Sequence, residues 1–115
     1  MEEVGAQLTD HWKDAIFEWA SDQSLISEVY LYGSYAKGTA TSESDVDLAL
    51  LVDAETDGER WGHLVFEREG WVTQLNRKIP VKIDLQNLSD NDIVVKPAVL
   101  EHGILIFRRE KLSVK

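Results

Sequence analysis

The stretch Gly33-Ser34-Tyr35-Ala36-Lys37-Gly38-Thr39-Ala40-Thr41-Ser42-Glu43-Ser44-Asp45-Val46-Asp47, continuing as Leu48-Ala49-Leu50-Leu51-Val52, decides how the rest of the chain is read. A Gly-Ser pair stands ten residues ahead of an Asp-x-Asp, and that Asp-x-Asp opens an apolar run. Strand side chains alternate faces, so Asp45 and Asp47 point one way and Val46 the other. Leu48 to Val52 is apolar on both faces, the pattern of a strand covered on both sides. Two carboxylates held side by side at the mouth of a buried strand repel each other and resist desolvation. A bound divalent cation removes both penalties, and hard cations such as magnesium favour carboxylate oxygen.

A third acid extends this reading. Val81-Lys82-Ile83-Asp84-Leu85 alternates, with Val81, Ile83 and Leu85 on one face and Lys82 and Asp84 on the other. If this strand lies beside the Asp45 strand, Asp84 completes a three-carboxylate cluster. Such a cluster can hold two metal ions roughly 3.5–4 Å apart, as used for in-line phosphoryl or nucleotidyl displacement.

Gly33-Ser34, Asp45-x-Asp47 and the later Asp84, in that order and spacing, resemble the signature of the nucleotidyltransferase fold shared with DNA polymerase beta. The short length, the Gly-Ser-Tyr-Ala-Lys-Gly wording and the ending Leu100-Glu101-His102-Gly103-Ile104-Leu105 resemble the minimal nucleotidyltransferases. Many of those are encoded beside a helical HEPN-domain protein as toxin–antitoxin pairs. The resemblance covers roughly Glu28 to Phe107. It departs at Lys37, where family members more often carry arginine; lysine keeps the charge and loses the bidentate fork.

Length and charge narrow the field further. A chain of 115 residues is one domain with a modest core, read as 1–115 with the core about 8–108 and a loose tail at 109–115. No stretch approaches the ~20 apolar residues of a membrane span, and the N-terminus has no signal-peptide pattern. There is no cysteine, hence no disulfide framework and no thiolate zinc site, which fits a reducing cytoplasm. His11, His63 and His102 are scattered without ligand spacing. Twelve Lys and Arg against 21 Asp and Glu give a net charge of −9. That argues against direct nucleic-acid binding, which needs clustered positive charge, and favours a basic protein partner.

Along the chain, Leu8 to Ala20 reads as a helix with Leu8, Trp12, Ala15, Ile16 and Trp19 on one face, capped by Thr9 or Asp10. Phe17 falls on the opposite face. Ser21 to Ser27 is a polar connection, and Glu28 to Tyr32 a short strand with Val29 and Leu31 facing away from Tyr30 and Tyr32. Gly33 to Ser44 reads as a loop, Asp53 to Glu59 as an acidic loop. Arg60 to Asn76 is a second helix with Trp61, Leu64, Val65, Val72 and Leu75 on its stripe, Trp71 at the edge and Phe66 opposite. Arg68 falls within that stripe, either snorkelling or paired with an acid, or near the nucleotide. Ser89 to Asp92 is a turn, Asp92 to Lys96 a short helix broken by Pro97, Ala98 to His102 another, stopped by Gly103. Ile104 to Phe107 is a final strand.

By itself a Gly-Ser pair after a strand marks only a turn, and Asp45 alone would be an exposed strand-end carboxylate. Glu43 and Asp53 are solvated loop acids. Lys37-Gly38-Thr39 has the wrong order for a Walker A loop. The combination of the pair with three acids carries the reading.

The resemblance implies an α/β (α+β) fold, a small mixed β-sheet flanked by helices. It implies transfer of a nucleoside monophosphate, AMP from ATP, to an acceptor hydroxyl. Asp45, Asp47 and Asp84 would be catalytic and would bind two magnesium ions, or manganese. Gly33 and Ser34 would hold nucleotide phosphates, and Lys37 would neutralise their charge. The acceptor site would come from another chain, a HEPN-domain toxin in a hetero-oligomer, with ATP or another nucleoside triphosphate as donor. Two rivals stand beside this: an antitoxin acting by binding alone, and a small-molecule (antibiotic) nucleotidyltransferase.

Overall fold

The computed structural model describes residues 9–89 and 93–110. Helix α1 (Asp10–Ser21) begins where the Thr9 hydroxyl accepts a hydrogen bond from the Trp12 N–H at 3.1 Å, one of the two expected caps. It buries Ala15, Ile16, Trp19 and Ala20. Leu8, the first residue of the expected helix, lies outside the described residues.

Strand β1 (Ile26–Tyr32) starts two residues before the expected Glu28, because Ile26 is fully buried. After it comes α2 (Ser34–Lys37), a single helical turn where the sequence suggests only loop. Its glycines mark its ends: Gly33 at φ 76° and Gly38 at φ 81°, a region that side chains disfavour. Tyr35 is buried beneath the turn. Strand β2 (Val46–Val52) follows.

Helix α3 (Asp57–Asn76) starts three residues before the expected Arg60. Thr56-Asp57-Gly58-Glu59 explains this: the Thr56 hydroxyl accepts from the Glu59 N–H at 3.1 Å, and Asp57 and Glu59 sit favourably in the first turn. Its buried stripe is Leu64, Trp71 and Leu75, while Trp61 and Val65 are exposed. The stripe is therefore turned toward Trp71 relative to the sequence expectation. Burial of Trp71 is possible because its indole N–H donates to Gln23 at 3.1 Å. Trp19, packed edge-on against Trp71, donates likewise to Gln74 at 2.9 Å. Arg68 is half-buried, with its Nε unpartnered among the described residues.

Strand β3 (Ile83–Asn87) and helix α4 (Val95–His102) come next. The helix runs through Pro97 instead of breaking there. Pro97 lies in the first turn, where a missing N–H costs no intrahelical bond. Residues 90–92, which hold most of the expected turn and the start of the first short helix, lie outside the described residues. Strand β4 (Ile104–Arg108) ends the described sheet.

Among the described residues the four strands form one mixed sheet in the order β3-β2-β1-β4. β2 and β3 are parallel, joined through α3, and the other pairs are antiparallel. On one face α1 and α3 cover the main core of Val29, Leu31, Val46, Leu48, Leu50, Val52, Ile83 and Leu85. Each fully buried aliphatic side chain there contributes about 1.5–3 kcal/mol. On the other face α4 sets Val95 and Val99 against Tyr32 and Ala49. Central β2 is thus covered on both sides, as its unbroken apolar run requires.

Of the expected tail, 109–115, residues 111–115 lie outside the described residues, and Arg109 at its start is anchored. Arg109 donates to the carbonyls of Ala20, Gln23 and Ile26 at 2.9–3.1 Å and stacks on Phe107. Arg108 pairs with Glu28 at 3.2 Å. Phe17 packs edge-on against Phe107 while remaining half-exposed. No helix among the described residues is long and apolar enough to cross a membrane.

Candidate active site

The strand registers bring the singled-out residues to one end of the sheet. β1 pairs Tyr32 with Asp47, so the Gly33-Ser34 turn leaves β1 beside the entry of β2. β2 pairs Asp47 with Asp84 in the parallel ladder. Alternation from Val46, which is fully buried in the main core, puts Asp47 on the opposite, α4-bearing face, and Asp84 faces the same way. Asp45 sits just ahead of β2, half-exposed, 3.8 Å from the ammonium of exposed Lys82.

Asp47 is the electrostatic focus. Burial, then the neighbouring charges of Asp84 and Asp45, push its carboxyl up from 3.8 to about 6. It has no hydrogen bond or ion pair among the described residues. Gly33 packs directly on it: a Cβ at position 33 would collide with the Asp47 carboxylate. A glycine is needed there twice over, for its positive φ and for this close approach.

Asp84 accepts a hydrogen bond on Oδ1 from the Gln86 amide at 3.1 Å, and its other oxygen has no partner among the described residues. Beside it runs a groove of about 710 Å³, whose walls include Tyr32, Trp61, Gln86, Ser89 and Val95. Among the described residues, α4 packs on the β1 side of this face and the groove runs along the β3 side. Ser89, buried at the groove's end, donates to Asp57 at 2.8 Å, tying the start of α3 to the end of β3.

Ser34 is half-buried at the first position of α2, and its hydroxyl makes no hydrogen bond among the described residues. Lys37 closes the same turn, exposed and without an ion pair among the described residues. Glu43 and Asp53 are exposed. Among the described residues no three His, Cys, Asp or Glu side chains meet closely enough, as they stand, to hold a metal ion between them. The donor chemistry nevertheless suits a hard cation: Asp47 and Asp84 are neighbouring carboxylates, and the charge of Asp45 also acts on Asp47.

One residue at this end was not foreseen. The Gly33 N–H donates to Nε2 of His102 at 3.3 Å, across 69 positions of sequence. Spacing among the histidines gives no hint of it. The hint lies in register: β4 pairs Ile104 with Leu31, so the residue two before Ile104 falls opposite the residue two after Leu31.

Comparison with known proteins bears on this geometry. A family model described as Polymerase beta, Nucleotidyltransferase matches residues 14–112. No curated protein sequence matches the chain. Among solved structures, the chain is similar to a toxin–antitoxin crystallised with AMP-PNP, at 24% identity and TM-score 0.63, over 85% of this chain and 74% of that one. It is similar to the toxin–antitoxin MntA-HepT at 19% identity and TM-score 0.59, over 88% and 74%. A third is a complex of tri-AMPylated Shewanella oneidensis HEPN toxin with MNT antitoxin, at 21% and 0.56, over 85% and 71%. These likenesses are likenesses of fold.

Proposed function

The chain belongs to the polymerase beta nucleotidyltransferase family, and from that premise we propose that it transfers AMP from ATP to a hydroxyl of a partner protein, as the antitoxin of a toxin–antitoxin pair. The observation that carries this is the register pairing of Asp47 with Asp84 beside the Gly33-Ser34 turn. Two adjacent carboxylates on one strand pair are costly to a structural domain, and a nucleotidyl-transfer site uses them. Neighbours of the same fold that are toxin–antitoxin pairs, one of them holding a tri-AMPylated HEPN toxin, support the partner and the modification.

In this reading Asp45, Asp47 and Asp84 would hold two magnesium or manganese ions. Bound there, they would supply positive charge against the charge that develops during transfer. Ser34 donates its free hydroxyl to a phosphate oxygen, and Lys37 adds positive charge close by. The acceptor enters along the open groove. Its hydroxyl oxygen forms a bond to the α-phosphorus, and the bond from that phosphorus to the pyrophosphate oxygen breaks. The hydroxyl proton passes to the Asp84 oxygen that Gln86 leaves free. AMP is then esterified to the acceptor and pyrophosphate departs.

In this reading a second protein presents the acceptor, seated against the groove beside Asp84. A net charge of −9 favours a basic protein surface for that role. Intact-mass spectrometry tests the proposal. The cognate helical partner, incubated with this chain, magnesium and ATP, should gain mass in multiples of one AMP, on a tyrosine hydroxyl. Neutralisation of the toxin without any added mass would instead favour an antitoxin that acts by contact alone.

A further inference from the structure

We infer that His102 is a positioning residue for the nucleotide site, acting through the backbone of Gly33. Three features of the fold deliver it there. Helix α4 ends at His102, and Gly103 lets the chain turn at once into β4: a Cβ at position 103 would strike the Val99 carbonyl, which accepts the Gly103 N–H at 2.7 Å. The antiparallel pairing of β4 with β1 then sets His102 opposite Gly33. Finally, the ring is enclosed, with the His102 side chain only 19% exposed, so its nitrogen cannot simply swing into water.

The hydrogen bond has a defined polarity. Gly33 donates, so Nε2 accepts and the neutral ring carries its proton on Nδ1. Nδ1 lies 3.9 Å from the exposed Glu101 carboxylate. In this structure the Gly33 N–H is thus paired with the His102 ring. Gly33 in turn lies against the Asp47 carboxylate. A line of contacts runs from the end of α4 through His102 and Gly33 to Asp47. A residue at φ 76° with a free N–H would be free to rock, and Asp47 and Ser34 on either side of it would lose their fixed separation.

The part of this inference that concerns nucleotide rests on the proposed activity; the part that concerns the loop does not. Two readouts keep them apart. The first is hydrogen exchange of the Gly33 amide by NMR in the protein without nucleotide. His102→Leu, which fills the space without an acceptor, should exchange about three- to tenfold faster, the scale of one hydrogen bond. His102→Gln, whose amide oxygen can stand where Nε2 stands, should restore the slow rate. The second is calorimetric affinity for magnesium-ATP, expected to fall about three- to tenfold in His102→Leu and to recover in His102→Gln. Melting curves of both variants confirm that each is folded.

Unchanged Gly33 exchange in His102→Leu, or a His102→Gln variant as fast as the leucine one, overturns the contact. Restored exchange with ATP affinity indifferent to both substitutions overturns the positioning role. A wild-type chain that binds no ATP removes the nucleotide reading and the positioning role with it, while the exchange rates still decide whether His102 holds the loop.

Discussion

Asp47 and Asp84 are register partners in the parallel ladder of β2 and β3, two carboxylates on one face with no basic side chain paired to Asp47 among the described residues. This relationship follows from the chain's simplest features. An apolar run forces β2 into the centre of the sheet, and the α3 crossover places β3 parallel beside it. Parallel strands joined this way start at the same end, so acids near both starts meet there.

The raised Asp47 carboxyl has a consequence for stability. Its folded value, about 6, lies above the ordinary 3.8, so the folded chain holds the proton more tightly than the unfolded one. Stability from this group is therefore present below pH ~4 and is lost as pH rises through ~6. Asp47→Asn should flatten that loss. Allowing for solvent screening of a half-buried group, the variant should be more stable than wild type by about 1–2 kcal/mol at pH 7. The gain should vanish near pH 4. Thermal melts across this range check it, and a variant less stable than wild type at pH 7 would contradict the electrostatic account.

Gly33→Ala tests the close approach. The new methyl meets the Asp47 carboxylate, and φ 76° is strained for alanine. Urea unfolding should show a loss of about 1–3 kcal/mol. Gly38→Ala is the control, because a Cβ there meets nothing and carries only the backbone strain. Equal losses at both positions would mean that contact with Asp47 contributes nothing.

Ser34 and Asp84 should separate binding from chemistry. Ser34→Ala removes a hydroxyl that is otherwise unbonded among the described residues, so its cost should appear in ATP affinity. Hydrogen bonds to charged groups are worth about 1.5–3 kcal/mol. Asp84→Asn should instead lower single-turnover transfer far more than it lowers affinity, since it removes the proton acceptor. A fully active Asp84→Asn would reduce Asp84 to a strand residue.

Much of this is legible in the sequence. Leu48 to Val52 announced a doubly covered strand, and Val81 to Leu85 announced its one-sided neighbour. What is not legible there has physical causes. The α2 turn hides in a Gly, Ser and Thr-rich segment, because Tyr35 is its one buried residue. The stripe of α3 is set by Trp71, whose indole finds a partner in Gln23, a contact between residues 48 positions apart. Trp61 and Val65 share the helical period but face water and the groove. His102 looked isolated because strand register, which sequence alone does not reveal, brings it to Gly33.

The central claim is that the acids at this end of the sheet bind metal-loaded nucleotide. Isothermal titration of ATP with and without magnesium, in wild type and in the Asp45→Asn/Asp47→Asn double variant, tests it most directly. The account predicts magnesium-dependent binding in the wild type and its loss in a double variant that melts no lower than wild type. Magnesium-dependent ATP binding that persists unchanged in the folded double variant would contradict it.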